Sequence, residues 1–280
     1  MEKSIQRFIK YLHKTRKSSI NTEMSYRRDL ERLAQYLTGD LGKTDWTEVT
    51  STNLNSYILY LEDRQYAAAS VSRSVASMRT FFHYLVRTHY LSDDPSYDLK
   101  APKVEKKAPD ILSEDEICAL LSQPDPATPK GLRDKAMLML LCGTGIRVSE
   151  LIGLKVEDIN LEMGYISCRE RTGTRAVPFG PDVRAAVEAY LADARQNFAG
   201  DQDPGALFVN CSGKAMSRQG FWKILKGYAE NADISRDITP HTLRHTFAAR
   251  MLADGADVYR VKELLGYSDI SQTQIYAMRR

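Results

Sequence analysis

The stretch INLEMGYISCRERTGTRAVPF, residues 159–179, decides the fold. Within it, residues 159–161, 165–169 and 175–179 alternate apolar with polar or carry β-branched side chains, and they are separated by Gly164 and by Thr172, Gly173 and Thr174. A period of two broken by turn residues predicts three short strands joined by two tight turns. On both sides of it the apolar residues return to helical spacing. Upstream lies a strongly apolar segment at 131–141, preceded by Ser113 and Glu116 in capping-box register. Downstream, helical spacing covers 181–198, 218–232, 241–254, 258–265 and the chain from 272 onward. The fold class expected is mainly α with a small antiparallel β-sheet (α+β).

The first third of the chain is helical throughout. Ile5, Phe8, Ile9 and Leu12, then Tyr26, Leu30, Leu33 and Leu37, then Leu54, Ile58 and Leu61 each mark one buried stripe. Ser18 or Ser19 with Asn21 opens the second helix, Gly39 and Gly42 close it, and Ser70 opens a fourth. Phe81, Phe82, Tyr84 and Tyr90 recur at helical spacing, so they are assigned to packing rather than to base stacking. Residues 99–110, LKAPKVEKKAPD, combine two prolines and four lysines with few large apolar groups, as an exposed connector does. The domains expected are 1–98, a linker at 99–110, and 111–280.

Composition narrows the function. The 280 residues are 43% apolar and 27% charged, and the mean hydropathy is −0.40, as in a soluble globular chain. No apolar run reaches the ~18 residues of a membrane span, and the start, MEKSIQRFIKYLHK, has no signal-peptide pattern; a cytoplasmic location is expected. The four cysteines, Cys118, Cys142, Cys168 and Cys211, are spaced for neither a zinc site nor a disulfide scaffold and read as buried thiols. Gly143 and Gly145 are followed by Val148 instead of a third glycine, and no P-loop occurs. No cofactor and no metal are expected. The net charge of +3 hides an uneven distribution, because residues 1–107 hold 18 Lys and Arg against 13 Asp and Glu. Clusters at Lys10, Lys14, Arg16 and Lys17, and at Arg27, Arg28 and Arg32, form faces suited to tracking phosphates.

Three segments stand out: GTGIRVSEL (143–151), HTLRHTFAARML (241–252) and ELLGYSDISQTQIYAM (263–278); read singly, Arg147 and Glu150 make an i, i+3 surface pair, His241 is an ordinary polar residue of a helix's first turn, and Tyr276 is one of 15 tyrosines. Breaking a phosphodiester without metal needs a side-chain nucleophile, cations aimed at the non-bridging oxygens and a proton for the leaving oxygen. Arginines meet the second need, since guanidiniums bind phosphate bidentately and stay charged. A tyrosine meets the first, but with a pKa of about 10 it needs a proton acceptor or a strongly positive site, and His241 is the natural candidate.

In this order and spacing the three segments resemble the tyrosine recombinase (phage integrase) family, and the resemblance covers nearly the whole chain. It implies that Arg147 is the first catalytic arginine, supported by Glu150, that His241 and Arg244 form the H-x-x-R pair, and that Tyr276, nine residues beyond Tyr267, is the nucleophile. His245, beside Arg244, is assigned to structure. The implied partner is double-stranded DNA carrying a specific recombination site, held in a tetrameric synapse, with a second recombinase or accessory protein in some systems. The implied reaction passes through a 3′-phosphotyrosyl link and a Holliday junction without ATP, in mobile-element integration or excision or in Xer-type dimer resolution.

Two positions depart from the family's pattern. The family's hairpin lysine, general acid to the leaving 5′-oxygen, has no counterpart, since no lysine occurs between Lys155 and Lys214. Ungapped, the position is Glu170; with a turn one residue shorter it is Arg171, which is preferred as a cation although it is a poor proton donor. Tyr267 stands where the family has histidine or tryptophan. The sequence stops four residues after Tyr276; the family's members commonly continue into a C-terminal segment that docks on a neighbouring protomer, so the expectation is either a minimal tail or a truncated form. Two rival readings follow: a cleavage-impaired DNA-binding partner of an active recombinase, and a type IB topoisomerase-like nicking and closing enzyme.

Overall fold

Side-chain caps set most of the helix boundaries. In the computed structural model, which describes residues 1–104, 108–170, 173–200 and 203–277, α1 (Glu2–Arg16) is followed by α2 (Ile20–Gly39), where the Ser19 hydroxyl accepts the Thr22 N–H at 3.1 Å. A Thr50/Asn53 capping box opens α3 (Ser51–Asp63). The fourth helix, α4 (Ala68–Arg87), begins ahead of Ser70 and has no side-chain cap. Its start is fixed by packing: Val71, Val75, Met78, Phe81, Phe82 and Leu85 all face the core.

The chain folds as two compact units, Met1–Lys106 and Lys107–Arg280. In the first, Trp46 and Phe8 pack edge-on against Phe81 at 4.8 and 5.3 Å. The buried Asp29 of α2 takes a bidentate pair from Arg73 of α4, with both bonds at 2.9 Å. Leu99 belongs to this core and its carbonyl accepts a bond from Arg79, so the first residue of the expected connector is packed structure. Tyr84 is half-buried, while Tyr90 departs from the packing assignment: it is exposed and donates its hydroxyl to Asp45 at 2.8 Å.

The second unit is built around α6 (Pro129–Thr144), which follows α5 (Glu114–Ser122) and whose Met137, Leu138, Leu140 and Leu141 are wholly buried. The Ser113/Glu116 capping box opens α5 as the sequence predicts. After α7 (Val148–Gly153) come β1 (Ile159–Asn160), β2 (Tyr165–Glu170) and β3 (Gly173–Pro178), antiparallel in the order β1-β2-β3. Glu170 pairs with Gly173, so β3 begins two residues earlier than expected. The expected helix over 181–198 is two, α8 (Pro181–Asp193) and α9 (Arg195–Ala199). The break at Ala194 lets the buried Arg195 reach Asp203 and the Ala206 carbonyl. The remaining helices are α10 (Arg218–Asn231), α11 (Pro240–Ala253), α12 (Val258–Leu265) and α13 (Ser271–Ala277). The mainly α fold with one small antiparallel sheet is therefore observed.

Of the thiols, Cys168 is buried and Cys142 half-buried, but Cys118 and Cys211 are exposed, against the expectation that all four are buried. Among the described residues no helix is long and apolar enough to cross a membrane, and no group of His, Cys, Asp and Glu is placed to hold a metal ion.

Candidate active site

Two helices end at left-handed glycines, and the arginines gather on their carbonyls. Gly145 caps α6 at φ 61° and Gly266 caps α12 at φ 61°. A side chain is strained at both by the positive φ, and it is crowded as well: a Cβ on Gly145 would lie 2.3 Å from the Phe247 ring, and one on Gly266 would displace the Glu170 carboxylate, 2.6 Å away. Arg244 of α11 donates to the Gly145 carbonyl at 2.6 Å and to the Leu265 carbonyl. Arg147 donates to the Gly266 carbonyl at 2.6 Å, and Arg175 of β3 to the Leu264 carbonyl at 2.9 Å. Three consecutive carbonyls of one helix end thus each hold a different guanidinium. The partial negative charge of a helix C-terminus is what allows three cations to share so small a space.

Glu150 ties this cluster together. Its carboxylate accepts the Arg147 backbone N–H at 2.6 Å, capping α7, and also accepts Arg147 Nη1 at 3.1 Å and Arg175 Nη2 at 2.8 Å. Arg175, which sequence reasoning did not select, is as buried as Glu150 (side chains 11% and 10% exposed). A signal was available in an arginine at an inward position of a strand next to Val177. Glu170 lies 3.3 Å from Arg175 Nε as a charge contact without hydrogen-bond geometry. Arg171, the preferred occupant of the missing lysine position, lies outside the described residues.

Arg147, Glu150, Glu170, Arg175 and Tyr267 line one open cleft of about 780 Å³ with Lys262 of α12, a lysine the sequence reading passed over. Arg244 is 3% exposed. Burial pulls its pKa below the usual arginine value, with Tyr267 opposing the shift. The Tyr267 hydroxyl accepts Arg244 Nε at 3.3 Å, and the guanidinium carbon sits 4.6 Å from the centre of the Tyr267 ring.

Tyr276, on α13, is 7% exposed among Ala248, Leu252, Val261 and Leu265. Burial first, and then the neighbouring Tyr267 hydroxyl, push its phenol pKa up, while Arg244 pulls the other way. Its hydroxyl is hydrogen-bonded to Nδ1 of His245, the histidine assigned to structure. His241, one turn earlier on α11, stands with its ring centre 6.3 Å from that of His245 and has no bond to Tyr276 among the described residues. It is exposed in the helix's first turn, and its pKa is lowered by partial desolvation and then by Arg244, Arg218 and Arg147. The structure therefore brings Arg147, Glu150, Arg244 and Tyr267 into one network, with Tyr276 beside Tyr267 and His241 at its edge.

Comparison with known proteins identifies the family. Residues 110–280 match the model of the Phage integrase family, and residues 5–89 match that of the phage integrase N-terminal SAM-like domain. The chain is 42% identical over 278 residues to tyrosine recombinase XerD of Oceanobacillus iheyensis, covering 99% of this chain and 93% of that protein. It is 39% identical over 278 residues to tyrosine recombinase XerC of Herpetosiphon aurantiacus, covering 99% and 90%. A structure of the Tn1549 transposon integrase in complex with transposon right end DNA shares the fold, with a TM-score of 0.77 at 19% identity over 98% of this chain and 94% of that one.

Proposed function

The chain belongs to the phage integrase family and is a site-specific tyrosine recombinase, and from that premise we propose that it cuts and rejoins duplex DNA with Tyr276 as nucleophile and Arg147 and Arg244 as the phosphate-binding cations. The observation that carries this reading is the gathering of both arginines on the α12 carbonyls, next to the turn that leads to Tyr276. A guanidinium has five N–H donors. The carbonyls, Glu150 and Tyr267 use two on Arg147 and three on Arg244. Both arginines are held in orientation and keep donors for phosphate oxygens, so little reorganisation remains when charge develops in the transition state.

Attack by the Tyr276 oxygen forms a P–O bond as the P–O5′ bond breaks, leaving a 3′-phosphotyrosine and a free 5′-hydroxyl. The bond energy is kept, so a second 5′-hydroxyl reverses the step without ATP. His241, within the field of Arg244, Arg218 and Arg147, is assigned as a hydrogen-bond donor to the phosphate, and Tyr267 as the group that orients Arg244. Arg171 is assigned to the leaving-group side as a cation that donates protons poorly. DNA is the partner, as it is in the structures of the Tn1549 integrase and of the XerH recombinase bound to its difH substrate. We further assign a DNA-binding domain over 1–98, a linker over 99–110 and a catalytic domain over 111–280, a tetrameric synapse on two sites, and a cytoplasmic location.

The test is joining. Two labelled duplexes bearing the protein's site should exchange strands through a four-way junction, and Arg244→Lys, which cannot span the Gly145 and Leu265 carbonyls, should lower the rate at least 100-fold. Relaxation of site-free supercoiled plasmid with no strand exchange would instead favour a nicking and closing enzyme.

A further inference from the structure

We propose that His245 is the catalytic group that receives the phenolic proton of Tyr276. This rests on the reading of Tyr276 as the nucleophile and adds the partner that activates it. The geometry is direct: Nδ1 of His245 is bonded to the Tyr276 hydroxyl, and the ring centres are 5.5 Å apart with planes inclined by 41°. The placement is rigid. A Thr239/Thr242 capping box and Pro240 in the first turn fix α11, and the Thr246 side chain, next to His245, is bonded both to the Thr242 carbonyl and to the Leu112 N–H.

Burial decides why a base is needed at this point. Tyr276 is 7% exposed, so bulk water is a poor acceptor for its proton. The groups facing the imidazole are His241 and Arg244 from its own helix, Tyr276 from α13 and Asp110 from the segment before α5. Desolvation, His241 and Arg244 lower the imidazole pKa and Asp110 opposes them, which leaves the ring neutral and able to accept near pH 7. Because the phenol's own pKa is pushed up, the proton does not leave ahead of attack. It moves as the oxygen's electron pair goes to phosphorus and the phenol turns into a far more acidic aryl phosphate. In the forward step the Tyr276 O–P bond forms, P–O5′ breaks, the phenolic proton goes to Nδ1 and the 5′-oxygen takes a proton from water. In the reverse step the imidazolium returns the proton to the departing Tyr276 oxygen.

The test is single-turnover formation of the covalent complex from pH 5 to 8.5, on fragments recovered from the source DNA by denaturing capture. Wild type should show a rate that climbs with unit slope and then levels off. His245→Asn keeps a hydrogen-bonding group near Nδ1 but no base; it should lose that acidic limb and react about 100-fold or more slowly, at unchanged DNA affinity. His245→Ala should regain rate with added imidazole. His245→Asn retaining the limb, or reacting within tenfold of wild type, overturns the proposal while leaving the nucleophile in place. A wild-type adduct that is absent or not on Tyr276 overturns the nucleophile reading as well. Independently of any variant's folding, the ¹⁵N resonance of His245 Nδ1 in the wild-type protein should be that of an unprotonated acceptor and should move in Tyr276→Phe. A protonated Nδ1 in the neutral ring would overturn the proposal.

Discussion

Replacing Glu150 by alanine should cost more stability than any other single change at the cleft. Its carboxylate does three things: it caps α7 through the Arg147 N–H, pairs with the partly exposed Arg147 side chain and pairs with the buried Arg175. The cap is worth about 1 kcal/mol. The Arg147 pair, with that side chain 37% exposed, is screened and contributes about 0.5 kcal/mol. Breaking the Arg175 pair strands a buried cation at about 3 to 5 kcal/mol, and the lower end applies because Glu170 and the Leu264 carbonyl remain beside it. The sum is about 4.5 kcal/mol, or roughly 9 to 18 °C in Tm for a unit of this size. Differential scanning calorimetry of Glu150→Ala measures it directly. The double variant Glu150→Met with Arg175→Met, which removes both charges and keeps volume, should recover most of the loss. A loss below about 1 kcal/mol, or a double variant less stable than both single Met variants, would refute the assignment of a shared buried charge.

Three further outcomes follow from the same contacts. Tyr267→Phe removes the acceptor for Arg244 Nε but keeps the ring under the guanidinium; at about 1 kcal/mol for the bond, cleavage should slow roughly fivefold with DNA affinity unchanged, and wild-type cleavage would make Tyr267 a packing residue. Gly266→Ala forces a left-handed alanine against Glu170 and Arg175, so urea unfolding should report a loss of about 1 to 2 kcal/mol or more; an unchanged midpoint would contradict the capping account. Substrates with sulfur at the 5′-bridging position need no proton for the leaving group, so they should be cleaved markedly faster than oxygen substrates, and an equal rate would mean that a good general acid is already present.

Much of the candidate site could be named from the sequence because its parts fall in three short segments that resemble one family. Arg147 with Glu150, His241 with Arg244, and Tyr267 with Tyr276 each sit within one turn or one short connection, and the resemblance relates them where spacing alone would leave each an ordinary surface or core residue. What escaped was carried by tertiary contact. Arg175 joins the cluster only because β3 pairs with β2 and packs beside the end of α12. Lys262 reaches the cleft from a helix face that spacing leaves ambiguous. His245 and His241 are one helical turn apart, and which one meets Tyr276 depends on where α13 docks, a contact set by Ala248, Leu252 and Val261 and not by any motif. The helix boundaries show the same division. Ser19 and Ser113 announce their helices by capping, whereas the start of α4 and the break at Ala194 are imposed by the core and by the buried Arg195.

The central claim is that Tyr276 becomes covalently joined to DNA. Wild type and Tyr276→Phe incubated in parallel with fragmented source DNA, then denatured, should differ completely: a discrete set of fragments crosslinked to wild type through Tyr276, and none to the variant. Equal recovery from both proteins, or none from either while both bind DNA specifically, would contradict the account and leave a DNA-binding protein that does not cut.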